Sequence, residues 1–202
     1  SGKAMADPDP ELIARIAPGV AGLEAATWDS LAGSDDPFLS HAFLALLEES
    51  GSVGELTGWQ PAPVTIDRGG RAIAAAPAYL KSHSQGEYVF DHGWSDAFER
   101  AGGRYYPKLQ CAVPFTPVTG PRLLVGKGED PDAVRAGLAA GLKMVTDKLG
   151  VSSAHVPFAQ ENDVATLEAA RFLHRTDQQF HFFNEGFSTY DDLFPPLASR
   201  MR

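Results

Sequence analysis

Between Glu87 and Lys108 the chain gathers Glu87, Tyr88, Asp91, His92, Trp94, Asp96, Arg104, Tyr105, Tyr106 and Lys108. General acid–base chemistry needs a group that takes a proton from the reacting atom, and the adjacent Asp91 and His92 supply one. They are the candidate catalytic residues. Tyr88, Trp94, Arg104, Tyr105, Tyr106 and Lys108 are candidates for holding a substrate, because polar and aromatic groups collected on a loop between strands suit a site. The plainer alternative is that Trp94 and the tyrosines fill the core while the charges sit on a solvated loop. A second stretch, VPFTPVTGPRLL, is stiffened by Pro114, Pro117 and Pro121. It offers Phe115, Thr116, Thr119 and Arg122 as further substrate-binding candidates, with a rigid surface loop as the alternative.

Other chemistries find little support. His41, His83, His92, His155, His174 and His181 are scattered and show no H-x-x-x-H spacing, so no metal site is expected. Cys111 is the lone cysteine, which excludes an internal disulfide and reads as a small buried hydrophobe. No G-x-S-x-G is present for a serine nucleophile. The formal charge of −9 argues against DNA binding through phosphate neutralisation. The 202 residues, 44% hydrophobic and 21% charged, suit a globular chain with a self-sufficient core. No apolar run approaches the roughly 18 residues that span a bilayer, and SGKAMADPDP lacks the basic-then-apolar order of a signal peptide. A cytoplasmic protein is expected.

These residues need a scaffold. ELIARIAPGV reads as a strand or a single helical turn, GLEAATWDSLAG as a short helix, and HAFLALLEESG as a helix capped by Ser40 with a stripe of Phe43, Leu44, Leu46 and Leu47. Val64–Ile66 and Ala72–Leu80 flank Asp67-Arg68-Gly69-Gly70, a hairpin signal, with Pro77 placing a bulge or an edge. Further strands are expected at EYVFD (87–91), at Leu123 to Val125, at VSSAHVP and at DQQFHFF, and a short helix in AFERAGG. Asp130-Pro131 opens a helix that runs to Leu149 with Val134, Leu138, Leu142, Val145 and Leu149 on one face, and Asn162 caps another. The order predicts a mixed α/β class of the α+β type, a mostly antiparallel sheet flanked by helices. It is also the layout of the GNAT acyltransferase fold, an analogy at the level of the fold. Residues 1–10 are expected to be a flexible leader, 11–187 a GNAT-like domain, and 188–202 the truncated start of a linker or second domain.

The strings FLSHAFLALLEESGSVG, TGWQPAPVTI, AYLKSHSQGEYVFDHGWSDAFERAGGRYYPKLQCAVPFTPVTGPRLL and RTDQQFHFFNEGFSTYDD resemble the bacterial FemAB-like family of peptidoglycan biosynthesis/recognition proteins, across most of residues 38–192. The resemblance implies a GNAT-like domain, normally the first of two, and relatives that transfer aminoacyl groups from aminoacyl-tRNA to peptidoglycan precursors. The donor implied is acyl-CoA or aminoacyl-tRNA. In GNAT-like folds the helix after the splayed strand holds the donor's pyrophosphate at its N-terminus. Here the Q/R-x-x-G-x-G/A loop is missing, and Gly126-Lys127-Gly128 is followed by Glu129-Asp130, whose charges repel phosphate. Two readings stay open: an acyl- or aminoacyl-transferase acting on an amine, and a non-catalytic recognition or scaffold domain that binds a cell-wall precursor or a partner protein. A small-molecule or cell-wall-precursor ligand is expected, and a homodimer formed through an apolar face.

Overall fold

The structure is a computed structural model that describes residues 12–89, 91–184 and 186–193. Its backbone is organised by one long bent hairpin. Val64–Arg68 (here β3) turns into Arg71–Ala76 (β4) through Gly69 and Gly70, whose φ angles of 59° and 82° are the left-handed pair that a tight hairpin turn demands. The arm before the turn begins as Trp59–Pro61 (β2), and the arm after it ends as Ala78–Lys81 (β5). Pro63 and Pro77 carry no N–H, so the ladder breaks where they face each other and the ribbon divides. The result is two four-stranded sheets rather than one.

The first sheet has the order β1-β3-β4-β7, where β1 is Leu12–Ile16 and β7 is Leu124–Val125. The second has the order β2-β5-β6-β8, where β6 is Lys108–Cys111 and β8 is Ala154–His155. All pairs are antiparallel except β6 with β8. Ala112 N donates to Pro77 O (2.9 Å) directly after β6, while Leu124 pairs with Ala75. The path from β6 to β7 is therefore one strand line opened to extrude residues 113–122 as a loop.

Helix Pro131–Leu149 covers the junction. It is labelled α4, after Ala25–Ala32 (α1), His41–Glu49 (α2) and His92–Arg100 (α3), and is followed by Glu161–Ala169 (α5). Asp130 caps α4 by accepting from Asp132 N and Ala133 N, and Gly150 (φ 62°) ends it. Val134, Leu138, Leu142 and Val145 bury against Val64, Ile66, Ala74, Leu109 and Leu123, as the helical spacing predicts, while Leu149 is exposed. On the opposite face of the first sheet α1 and α2 enclose Trp28, Leu31, Leu39 and Leu44 over Ala75 and Leu124, and Trp28 Nε1 donates to Leu39 O (2.8 Å). Ser40 caps α2, but Leu46 of its predicted stripe is exposed.

The mixed, mostly antiparallel class with flanking helices holds; several element assignments do not. EYVFD forms no strand among its described residues, because left-handed Gly86 (φ 78°) and Tyr88 (φ 55°) turn the backbone there. DQQFHFF has no regular secondary structure and no strand partner, with Phe180 and Phe183 exposed; among the described residues β8 has only β6 as a neighbour, and a strand exists only against a partner. VSSAHVP shrinks to Ala154–His155, and α5 is entered at Gln160 rather than Asn162. The expected leader, residues 1–10, lies outside the described residues, as do residues 194–202.

Candidate functional site

In the second sheet β5 and β6 alternate strictly. Ala78, Leu80, Leu109 and Cys111 point into the core under α4, while Tyr79, Lys81, Lys108 and Gln110 occupy the other face. The register sets Lys81 opposite Lys108 and Tyr79 opposite Gln110. Two like charges across a ladder destabilise it unless something intervenes. The loop after β5 intervenes by folding back over this face with two carboxylates, Glu87 and Asp91.

Lys108 is fully buried, and its Nζ donates to Glu87 Oε2 and to Asp91 Oδ2, each at 2.7 Å. Tyr105 OH donates to the same Asp91 Oδ2 at 2.9 Å. The rings of Tyr105 and Tyr106 lie 5.4 and 5.5 Å from the lysine Nζ. Lys81, also fully buried, donates to Gln85 O (3.1 Å), and its Nζ sits 3.8 Å above the Trp59 ring. His155 of β8 borders the group, with its ring 5.9 Å from that of Tyr105 and its Nε2 2.8 Å from Ser153 Oγ.

Burial and charge drive these groups in different directions. Burial pushes Asp91 up, but the hydrogen bond and charge of Lys108 with the Tyr105 hydroxyl outweigh it, so the carboxyl is held below its usual range. In Glu87 burial prevails over Lys108, and the pKa is raised. Burial, with the charge of Lys108, takes Lys81 down to about 8 and His155 down to about 4. Tyr105 and Tyr106 are raised, chiefly by burial. Asp91 is thus a fixed anion, and Glu87 is the carboxylate whose surroundings favour a proton. Glu87 Oε1, Asp91 Oδ1 and Gln110 Oε1 are buried and have no donor.

The loop 113–122 docks beside this group. Phe115 (φ 58°) donates its N–H to Gly86 O (3.2 Å) and packs its ring 5.5 Å from Trp59. Thr116 Oγ1 donates to Pro114 O, and Thr119 is exposed. Arg122 is fully buried: its guanidinium donates to the carbonyls of Val118, Pro121 and Pro157, and Asp163 Oδ2 accepts from its backbone N–H at 2.6 Å. Arg122 thereby ties the loop to α5.

Of the residues singled out from sequence, the structure brings Asp91, Tyr105, Tyr106 and Lys108 together. His92 is an exposed residue at the start of α3, and Arg104 is exposed. Tyr88 is exposed beside Glu87, and Trp94 is exposed with the Arg175 guanidinium 5.1 Å from its ring. Sequence reasoning gathered Glu87 into the polar block without giving it a role of its own, and did not single out Lys81, Gln110 or His155 as site residues. The available signal was the apolar–polar alternation in AYLK and KLQC, which puts a lysine on the non-core face of each strand. Cys111 is buried, its thiol pushed up to about 12 mainly by burial, and it donates to Arg122 O. Among the described residues no cluster of His, Cys, Asp or Glu suits a metal ion, and no helix is long and apolar enough to cross a membrane.

A groove of about 730 Å³ lies elsewhere, between α1 and the face of the first sheet that carries Thr65 and Ala75. Its lining is mostly apolar, and its Arg15 pairs with its Asp67 at 2.9 Å. The convergent buried polar groups belong to the second sheet, and the candidate site is placed there.

No curated protein matches this chain. A crystal structure of an acetyltransferase from Trypanosoma brucei is similar with 16% identity and a TM-score of 0.49, over 86% of this chain and 100% of that one. The model of the FemAB-like family, described as peptidoglycan biosynthesis/recognition, matches residues 19–202. That match takes in the hairpin, both sheets from β2 onward and the whole lysine–carboxylate group, and on it the chain belongs to the FemAB-like family.

Proposed function

We propose that this chain transfers an acyl or aminoacyl group from an activated donor to the amine of a cell-wall precursor. The observation that supports this best is the buried Lys108–Glu87–Asp91 group in a member of a peptidoglycan-related family, with acceptor oxygens left over for an incoming N–H. In this reading Asp91 anchors Lys108 and Tyr105 and orients the amine. The exposed Tyr88, His92, Trp94 and Arg104 on one side, and the exposed Phe115 and Thr119 with the half-buried Thr116 on the other, receive the rest of the substrate. Catalysis is then chiefly positioning, with proton transfer as the chemical contribution.

The donor is one that is not gripped by a diphosphate at α4. The first N–H groups of that helix are already taken by Asp130, and Glu129 beside it pairs with Arg68 at 2.7 Å. Aminoacyl-tRNA fits this better than acyl-CoA. The complete burial of Lys108 favours a second reading, a recognition domain that binds the precursor without transfer. The experiment incubates the full chain with acyl-CoA or aminoacyl-tRNA and a precursor bearing a free amine, and weighs the precursor by mass spectrometry. A mass gain that Asp91→Asn abolishes is the expected result. Saturable precursor binding with no mass gain from either donor overturns transfer in favour of recognition.

A further inference from the structure

Lys108 Nζ reaches one oxygen of each carboxylate, which leaves Oε1 of Glu87 and Oδ1 of Asp91 buried without a donor. Gln110 Oε1, on the same face of β6, is a third such acceptor. Glu87, Asp91 and Gln110 are each more than nine-tenths buried. Tyr79 OH, across the ladder from Gln110, is also buried without a partner and can donate on that side. Buried acceptors are nearly always satisfied, so the two carboxylate oxygens suit a group that brings N–H donors. A primary ammonium brings three donors and no lone pair. We propose that Glu87 is the proton acceptor of the site, and that the group delivered to it is a primary ammonium held between Glu87 Oε1 and Asp91 Oδ1. The proposal deepens the amine-acylation reading and rests on it.

Glu87 and Asp91 differ in what surrounds them. Asp91 Oδ2 takes two donors, from Lys108 and Tyr105, and the carboxylate stays ionised. Glu87 takes one, and burial keeps its proton affinity high. The charged groups facing Glu87 are Lys81 on β5, Lys108 on β6 and Asp91 ahead of α3, with the hydroxyls of Tyr105 and Tyr106 beside them. In the step proposed, one N–H bond of the ammonium breaks, an O–H bond forms at Glu87 Oε1, and the electron pair stays on nitrogen. The nitrogen attacks the carbonyl carbon of an aminoacyl ester or acyl thioester. The C–N bond forms, the C–O or C–S bond breaks, and the second amine proton goes to the departing oxygen or sulfur. Glu87 then returns its proton to water. The hydrogen bond from Phe115 N–H to Gly86 O joins the loop that carries Glu87 to the loop 113–122.

The test follows the Glu87 carboxyl carbon by NMR in the full-length chain labelled with carboxyl-¹³C glutamate, assigned with Glu87→Gln. Methylammonium chloride is titrated against tetramethylammonium chloride at matched ionic strength. The expected result is a saturable shift of the Glu87 resonance and a lowered titration midpoint with methylammonium alone, since tetramethylammonium has no N–H to donate. No response in the folded wild-type chain, or an equal response to both salts, overturns the proposal. Because this reading is taken on the wild-type chain, it stands whether or not Glu87→Gln folds. Where the wild-type chain transfers an acyl group, Glu87→Gln is expected to slow it about 10²- to 10⁴-fold and to remove the acidic limb of its pH profile. An unchanged rate and profile overturns the Glu87 assignment while leaving acyl transfer standing. Methylammonium binding at Glu87 without any acyl transfer supports the amine site and removes the transfer reading.

Discussion

Lys108 is the residue on which the buried charges depend. Replacing it with methionine keeps the side chain's bulk but removes the ammonium hydrogen-bonded to both Glu87 and Asp91, whose side chains are each 1% exposed. Removing one partner of a buried pair costs about 3–5 kcal/mol, so Lys108→Met is expected to lower the urea midpoint sharply and to raise the Glu87 pKa further. His155 adds a pH dependence of definite sign. Its folded-state pKa, about 4, lies below its ordinary 6.5, because burial and then Lys108 disfavour the imidazolium. The unfolded chain therefore binds the proton first as pH falls. The stability contributed by neutral His155 is complete above about pH 6.5 and is lost progressively toward pH 4. Urea titrations across that range are expected to show the loss in the wild-type chain and a flatter profile in His155→Gln. None of these roles follows from residue type alone. Asp91 and Lys108 were legible as polar residues in a dense block, yet whether Lys108 meets Asp91 or solvent depends on how the loop folds back, a long-range fact with no local signature.

At the scale of elements, two glycines separate tight sites from permissive ones. Gly86 holds φ 78°, and a methyl group there would lie 2.6 Å from the Phe115 ring. Gly86→Ala is expected to cost about 1–2 kcal/mol for the left-handed backbone alone and to displace Phe115 from Trp59, visible as a change in tryptophan fluorescence. Gly141 sits inside α4, where an added methyl would meet Val64 at an ordinary 3.6 Å. Gly141→Ala is therefore expected to raise stability by up to about 1 kcal/mol in the same urea experiment. Elements whose limits are written in local chemistry were readable from sequence: Ser40 before α2, Asp130-Pro131 and Gly150 around α4, and the paired glycines between β3 and β4. Those defined by pairing were not. The three residues of β2 and the four of β6 are strands because β5 lies between them, and QFHFF, with a comparable pattern, is not a strand because it lacks a described neighbour.

At the scale of the molecule, the strand line from β6 to β7 and the hairpin from β2 to β5 both open at the centre, and the lysine–carboxylate group lies on the side of that opening away from α4. The mixed class and the family membership were legible in the sequence, because both are carried by extended stretches of the chain. The division into two sheets was not, because it depends on Pro63 and Pro77 falling opposite one another. The homodimer expected from sequence has a concrete surface to be tested on, the exposed Phe180, Phe182 and Phe183. Sedimentation at micromolar concentration is expected to give a dimer that Phe180→Ser with Phe183→Ser converts to monomer; a wild-type monomer contradicts it. The location of the site is tested most directly by amide chemical-shift mapping of the full chain with a cell-wall precursor that carries a free primary amine. Saturable shifts centred on Glu87, Asp91 and Lys108, and extending to Phe115, are the predicted result. Shifts centred instead on Arg15, Thr65 and Ala75 in the groove beneath α1, or none in the folded chain, would contradict the placement of the site on the second sheet.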